Sequence, residues 1–187
     1  MPQIAYHRKT FTAPRTVTLR RPTKIKESLL LALLLVCTGV LGGQYEDAFA
    51  AKARGDFPTA FAGFKQLALN GDAASQFELS LMYSAGKGVP PDAKQALHWL
   101  RQAAAHGNVQ AQSNLGVALN RGLVVPQDSV KALVWLSIAA ASGDSTAITN
   151  RDVATRKMSV KEVEQAKTLA QECKQRMADV LRLPQCL

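Results

Sequence analysis

The residues best able to do chemistry are few and widely spaced. Ser84 and Lys87 have the serine–x–x–lysine spacing of some acyl-transfer enzymes, in which the serine stands at a helix start with the lysine one turn on. Here the pair instead leads into a turn rich in glycine and proline, and no S-D-N or K-T-G element follows. The sequence therefore predicts no catalytic residue.

His98 and His106 are the only histidines after the N-terminal segment. Their spacing does not match the ligand patterns of zinc sites, and no nearby carboxylate or cysteine completes a ligand set. We interpret both as ordinary residues on helix surfaces. No metal site and no cofactor is expected.

Cys173 and Cys186 form an even pair if the chain is exported with its leader removed. Free thiols are uncommon in exported proteins, which favours a disulfide between the terminal helix and a returning tail. The alternative is two unpaired thiols. A redox-active role is not expected, because the chain has no C-x-x-C motif.

The N-terminal segment has the features of an export signal. Residues 1–27 are strongly basic, and the apolar run from Leu29 to Leu41 is well short of the roughly 20 residues that a spanning helix needs. Small residues follow this run, so we predict a signal peptide over 1–43, cleaved near Gly42 or Gly43. The expected location is the periplasm or the exterior, and the alternative is a retained inner-membrane anchor.

The net charge of +9 comes mostly from this leader, which has seven basic residues and one acidic residue. The remaining chain has no basic stripe of the kind that nucleic-acid binding requires. Nucleic acid is therefore not an expected partner, and contact with a membrane is expected only through an uncleaved N-terminal segment.

Residues 71–142 contain one 36-residue unit twice. Aligned without a gap, Gly71 falls on Gly107 and Trp99 falls on Trp135, while Gly143 marks the next start. A fixed period in this range indicates stacked helical repeats.

We predict an all-α fold, an α-solenoid of antiparallel helix hairpins closed by a C-terminal capping helix. Ser159 and Glu162 have the spacing of a capping box, and we expect the helix they open to run to about Leu181. The expected divisions after the leader are a first hairpin over 44–71, repeats over 72–107 and 108–143, and a terminal hairpin, capping helix and tail over 144–187.

The two central units resemble Sel1-like repeats, which are relatives of the tetratricopeptide repeats with a longer turn inside each hairpin. The resemblance rests on the runs from Gly86 to Asp92, from Ala96 to Gly107 and from Ala111 to Gly116. It extends more loosely over Tyr45 to Arg176, and the first hairpin is closer to a tetratricopeptide type. Leu123 and Val124 depart from it, since a glycine-rich turn is usual there.

The resemblance implies a helical adaptor that binds other proteins, often in the bacterial envelope, and it names no partner. By analogy with tetratricopeptide repeats, the first helix of each pair lines a concave face that suits a peptide or partner helix. The residues expected on this face are Ala74, Phe77, Leu81, Ser84, Gln110, Ser113, Val117 and Asn120. The alternative for Phe77 and Leu81 is packing between repeats.

The leading hypothesis is therefore an exported, non-catalytic scaffold that binds a protein or peptide. Two alternatives remain open: a β-lactam-recognising envelope protein, and a membrane-anchored regulator whose basic segment stays inside the cell.

Overall fold

The computed structural model describes residues 43–177, 179 and 185–187. This part of the chain contains eight α-helices and no β-strand, so the predicted all-α architecture is confirmed. The helices are α1 over 43–53, α2 Phe57–Leu69, α3 Ala73–Ala85, α4 Ala93–Ala105, α5 Val109–Arg121, α6 Ser129–Ala140, α7 Ser145–Thr155 and α8 Val160–Gln175.

Helix starts recur with the period seen in the sequence. The helices α2, α4 and α6 begin at Phe57, Ala93 and Ser129, and α3, α5 and α7 begin at Ala73, Val109 and Ser145. Both series advance by 36 residues, so the first hairpin keeps the register of the central repeats. It differs in its turn, which spans only residues 54–56 between α1 and α2.

A side-chain cap begins each helix from α2 to α8. Asp72, Asn108 and Asp144 have nearly the same backbone angles, with φ of −66°, −67° and −66°, and each accepts a hydrogen bond from the amide three residues on. Such caps satisfy first-turn N–H groups that have no partner within the helix. The predicted capping box of Ser159 and Glu162 is present at the start of α8.

Close contact between helices requires small residues at the crossings. A Cβ on Gly116 of α5 would lie 2.7 Å from the Leu136 Cγ of α6 and 3.1 Å from the Ala132 carbonyl oxygen. Glycine at this position therefore allows α5 and α6 to pack with their backbones close together. The core around them is built largely of alanine, with Trp135 fully buried.

Hydrogen bonds from two glutamines join successive hairpins. The Gln76 Nε2 donates to the Ala68 carbonyl oxygen at 3.0 Å, and the Gln112 Nε2 donates to the Ala104 carbonyl oxygen at 3.0 Å. These residues are one period apart, and both side chains are buried. The third equivalent position is Ile148, which cannot make this bond.

The first hairpin is tied to the second by charge and by aromatic packing. Lys52 of α1 forms an ion pair with the nearly buried Glu78 of α3. Phe61 of α2 packs edge-on against Tyr83 of α3, with ring centroids 5.3 Å apart. Burial raises the pKa of the Tyr45 phenol, and the nearby carboxylates, Glu78 foremost among them, raise it further.

The C-terminal tail is attached covalently. The structure contains the disulfide between Cys173 and Cys186, both of which are buried. The Trp135 Nε1 donates to the Cys186 carbonyl oxygen at 2.6 Å. Helix α8 ends at Gln175 and not near Leu181 as expected, which allows the tail to return toward α6.

The predicted signal peptide lies outside the described residues, apart from Gly43 at its end. No helix in the described part of the chain has the length and apolar character needed to cross a membrane.

Candidate functional site

A groove of about 430 Å³ runs between α3 and α5, with one side of α4 at its base. We call it the α3–α5 groove. Most of its surface is apolar, and Leu81 and Leu123 are 40% and 51% exposed beside it. Its lining residues are Ser80, Leu81, Ser84, Pro91, Asp92, Ala93, Ala96, Leu97, Leu100, Asn114, Ala118, Leu123 and Val124.

Regular turn geometry positions the walls of the groove. Helices α3 and α5 are each followed by a capping glycine, Gly86 and Gly122, which has a left-handed backbone with φ of 67°. Glycine adopts this conformation without the steric cost of a side chain. Each turn is then closed by a backbone hydrogen bond of 3.0 Å, from the Asp92 amide to the Tyr83 carbonyl and from the Asp128 amide to the Leu119 carbonyl.

Asp92 is the one titratable residue among the residues that line the groove. Its Oδ1 accepts hydrogen bonds from the Lys94 and Gln95 amides at 2.9 and 3.0 Å and so caps α4. The remaining polar groups are the hydroxyls of Ser80 and Ser84 and the amide of Asn114. This arrangement can hold an apolar side chain and orient polar backbone atoms beside it.

The structure places only part of the expected concave face in this groove. Leu81 and Ser84 of α3 line it. Phe77 is partly buried and packs against the hydrophobic core that extends from α4 to α8, a contact that favours the alternative of packing between repeats. Ala74 is half-buried and lies outside the groove lining.

None of the four residues expected from α5 lines the groove. Ser113 is only 5% exposed, and burial removes it from any contact surface, which corrects the expectation for this residue. Gln110 is exposed, while Val117 and Asn120 are half-buried. The Asn120 carbonyl accepts a hydrogen bond from the Gln127 side chain at 2.9 Å and thereby helps to hold the turn after α5.

Helix α5 contributes Asn114 and Ala118 to the groove instead. Sequence reasoning missed both residues and did not assign Leu123 and Val124 to the site. The available signal was the departure of Leu123 and Val124 from the glycine-rich turn of the preceding repeat.

The side chains that could do chemistry are engaged in contacts with neighbouring residues. The Lys87 ammonium lies 5.2 Å from the centre of the Phe57 ring, and no hydrogen bond between described residues joins it to Ser84. His106 Nδ1 is 2.7 Å from Gln76 Oε1, and the His98 ring packs edge-on against Trp99. Within the described ranges, no three histidine, cysteine, aspartate or glutamate side chains are grouped as a metal site.

A second, more polar groove of about 600 Å³ lies among α6, α7 and α8. The Arg151 guanidinium on its wall donates to the Asp152 carboxylate at 2.8 Å, and both side chains are exposed. Exposed ion pairs of this kind contribute little to binding or stability. The α3–α5 groove is therefore the stronger candidate for a site.

The fold and this surface define a class of protein, a short α-solenoid with a groove between neighbouring hairpins. The profile of the Sel1 repeat matches residues 73–108 and 109–144, so the chain contains two Sel1 repeats. Proteins of this kind are in general helical scaffolds for protein interactions. No protein of curated function matches the chain.

Two solved structures are similar to it. One is a protective antigen present in uropathogenic Escherichia coli strains that displays an SLR fold, with 28% identity, a TM-score of 0.66 and coverage of 76% of this chain. The other is a Sel1 repeat protein from Oxalobacter formigenes, with 28% identity, a TM-score of 0.50 and coverage of 51%. The chain spans 32% and 40% of these two proteins.

Proposed function

We propose that this protein is an exported, non-catalytic adaptor that binds a protein or peptide partner in the bacterial cell envelope. The observation that carries the proposal is the α3–α5 groove, in which exposed leucines stand beside hydroxyl and amide groups. Apolar walls with a few fixed polar groups suit the side chains and backbone of a peptide.

Two features support export. The predicted leader combines a basic start with a short apolar run. The Cys173–Cys186 disulfide is of a kind that persists mainly in oxidising compartments, such as the periplasm or the exterior.

The arrangement of charged groups argues against catalysis at the groove. Its single carboxylate, Asp92, is engaged as a helix cap, and Lys87 is directed to the Phe57 ring of α2. General acid–base chemistry needs a titratable group within reach of the reacting atoms and free to exchange its proton. Among the described residues, Ser84 lies at the groove without a hydrogen bond to Lys87, so the β-lactam alternative lacks the contact between serine and lysine that it requires.

Capture from an envelope extract tests the proposal. A variant with Leu81→Ser and Leu123→Ser removes two exposed leucines from the groove, and a control with Leu69→Ser and Val160→Ser removes two exposed apolar side chains elsewhere. We expect the wild-type protein and the control to capture the same partner, identified by mass spectrometry. We expect the groove variant to lose at least about 90% of it, because each buried leucine contributes about 1.5–3 kcal/mol.

Equal capture by all three proteins would contradict the proposal. So would β-lactam hydrolysis that is abolished by Ser84→Ala. An intact mass that retains the basic segment would favour the membrane-anchored alternative over export.

A further inference from the structure

One end of the α3–α5 groove differs from the equivalent place one repeat earlier. There, the turn after α3 lies directly on the start of α2: a Cβ on Gly88 would be 2.3 Å from the Phe57 carbonyl oxygen. The Phe57 ring and the Lys87 chain above it fill the remaining space. The turn after α3 and the start of α2 are therefore in direct contact, with no hollow between them.

In the next repeat, different residues stand in place of Phe57 and Gly88. Ala93 stands where the first hairpin has Phe57, and Val124 stands where the preceding turn has Gly88. Val124 already has a Cβ, so its backbone cannot approach α4 as closely as Gly88 approaches α2. This place has no aromatic ring, and the turn after α5 lies farther from the start of α4. A hollow bordered by Ala93, Leu123 and Val124 results.

Val124 is held in a strained and exposed conformation at this hollow. Its φ is +63°, which is unfavourable for a β-branched residue, and its side chain is 63% exposed. Residues in such conformations cluster at ligand-binding sites and switches. Leu123 and Val124 are thus two large apolar side chains that are exposed to solvent beside an apolar groove.

We infer that the hollow receives a leucine-sized side chain of an unstructured or helical peptide whose flanking residues are basic. The inference rests on the proposed peptide-binding function and specifies the ligand. The apolar part follows from the residues around the hollow. The charge preference follows from Asp92, which is next to Ala93 and is the only titratable group that lines the groove.

The probes are three fluorescein-labelled nonapeptides in a Gly/Ser background. The first has two leucines flanked by lysines, the second has glutamates in place of the lysines, and the third has serines in place of the leucines. Fluorescence anisotropy with the purified full-length protein gives the dissociation constants. We expect the lysine peptide to bind about threefold or more tightly than the glutamate peptide, and more than about tenfold more tightly than the serine peptide.

The decisive variant is Ala93→Phe, which restores the aromatic ring that the first hairpin has. We expect it to weaken binding of the lysine peptide more than about tenfold by filling the hollow. The matched control is Val160→Phe, because Ala93 and Val160 are both exposed first residues of helices. Leu123→Ser is a second variant that weakens binding through an exposed residue, and thermal unfolding checks that each variant is folded.

Asp92→Asn tests the charge preference separately. Asparagine caps a helix about as well as aspartate, so the variant removes the charge and keeps the cap. We expect the lysine and glutamate peptides to bind it with nearly equal affinity.

Several outcomes would overturn the inference. They are no binding of the lysine peptide, binding that survives Ala93→Phe, or tighter binding of the glutamate peptide. A wild-type dimer in sedimentation that becomes monomeric with Ala93→Phe would assign the hollow to a second copy of this chain instead. If an envelope partner is captured through the groove while the peptides fail, the inference falls and the proposed function stands.

Discussion

At the scale of single residues, buried glutamines hold neighbouring hairpins together. Gln76 and Gln112 each reach across to a carbonyl oxygen near the end of the preceding helix, eight residues earlier in the chain. Because a buried amide without a partner is costly, these two hydrogen bonds help to fix the spacing between neighbouring hairpins. The periodicity of the sequence placed them at equivalent positions but did not assign them this role.

Gln112→Ala should lower the free energy of unfolding by about 1–3 kcal/mol, because it removes a buried hydrogen bond and leaves a cavity. The control is Gln127→Ala, which removes an exposed bond of nearly the same length from another glutamine to a backbone oxygen. Urea unfolding followed by circular dichroism measures both. Equal losses for the two variants would contradict a special role for the buried bond.

At the scale of helices, the sequence predicted the helical repeat and its period but not which residues line the groove. The residues expected from α5 were those of α3 moved by one 36-residue period, so the same side of both helices was assigned to the site. Two neighbouring helices that flank one groove present opposite sides to it, however, so Leu81 and Ser84 of α3 face Asn114 and Ala118 of α5. The missing information was the angle at which the hairpins stack, which no single helix pattern contains.

Helix ends, too, were predictable only where the signal lies within a few residues. The capping box at Ser159 was predictable because its two residues are close in sequence. The end of α8 at Gln175 was not, because nothing local stops the helix there. The disulfide to Cys186 requires the chain to turn back, and such long-range contacts override local helix preference.

The start of α8 should make stability depend on pH. The Ser159 hydroxyl and amide donate to the Glu162 carboxylate, and these hydrogen bonds lower the pKa of Glu162 from its usual 4.5. A lowered folded-state pKa means that the stabilisation is present above about pH 4.5 and is lost as the pH falls through the folded-state value.

Ser159→Ala should therefore lower the thermal midpoint at pH 7, and the difference from wild type should shrink at pH 3. Scanning calorimetry at both pH values measures it. The control is Thr168→Ala, since the Thr168 hydroxyl donates to the Glu164 backbone carbonyl within the same helix and not to a carboxylate. A difference that stays constant between the two pH values would contradict the assignment.

At the scale of the whole molecule, the last hairpin is secured differently from the others. Ile148 takes the place of the glutamine that joins earlier hairpins, while the tail is bonded to α8 through Cys186 and to α6 through Trp135. The covalent bond thus stabilises the end of the stack where the repeated hydrogen bond is lost.

Reduction of the disulfide should destabilise the protein by about 2–3 kcal/mol, given the short loop that it closes. It should also expose Trp135, which is fully buried in the described structure. With Trp99→Phe, Trp135 is the single tryptophan of the chain, so its emission reports the tail directly. We expect a red shift on reduction, and a Cys173→Ala, Cys186→Ala variant should show the shifted spectrum without reductant. Unchanged emission after confirmed reduction would show that the tail stays in place without the bond.

The matching caps at Asp72, Asn108 and Asp144 have a consequence for how such a protein can change in size. Each begins a hairpin with the same backbone geometry, so the segment between two of them has interchangeable ends. If the segment between two caps is duplicated, the new copy can be inserted at either cap, and the hairpins on both sides of it pack as neighbouring hairpins already do in this molecule. The reach of the binding surface can therefore lengthen in whole steps while the sealed C-terminal end is carried along unchanged.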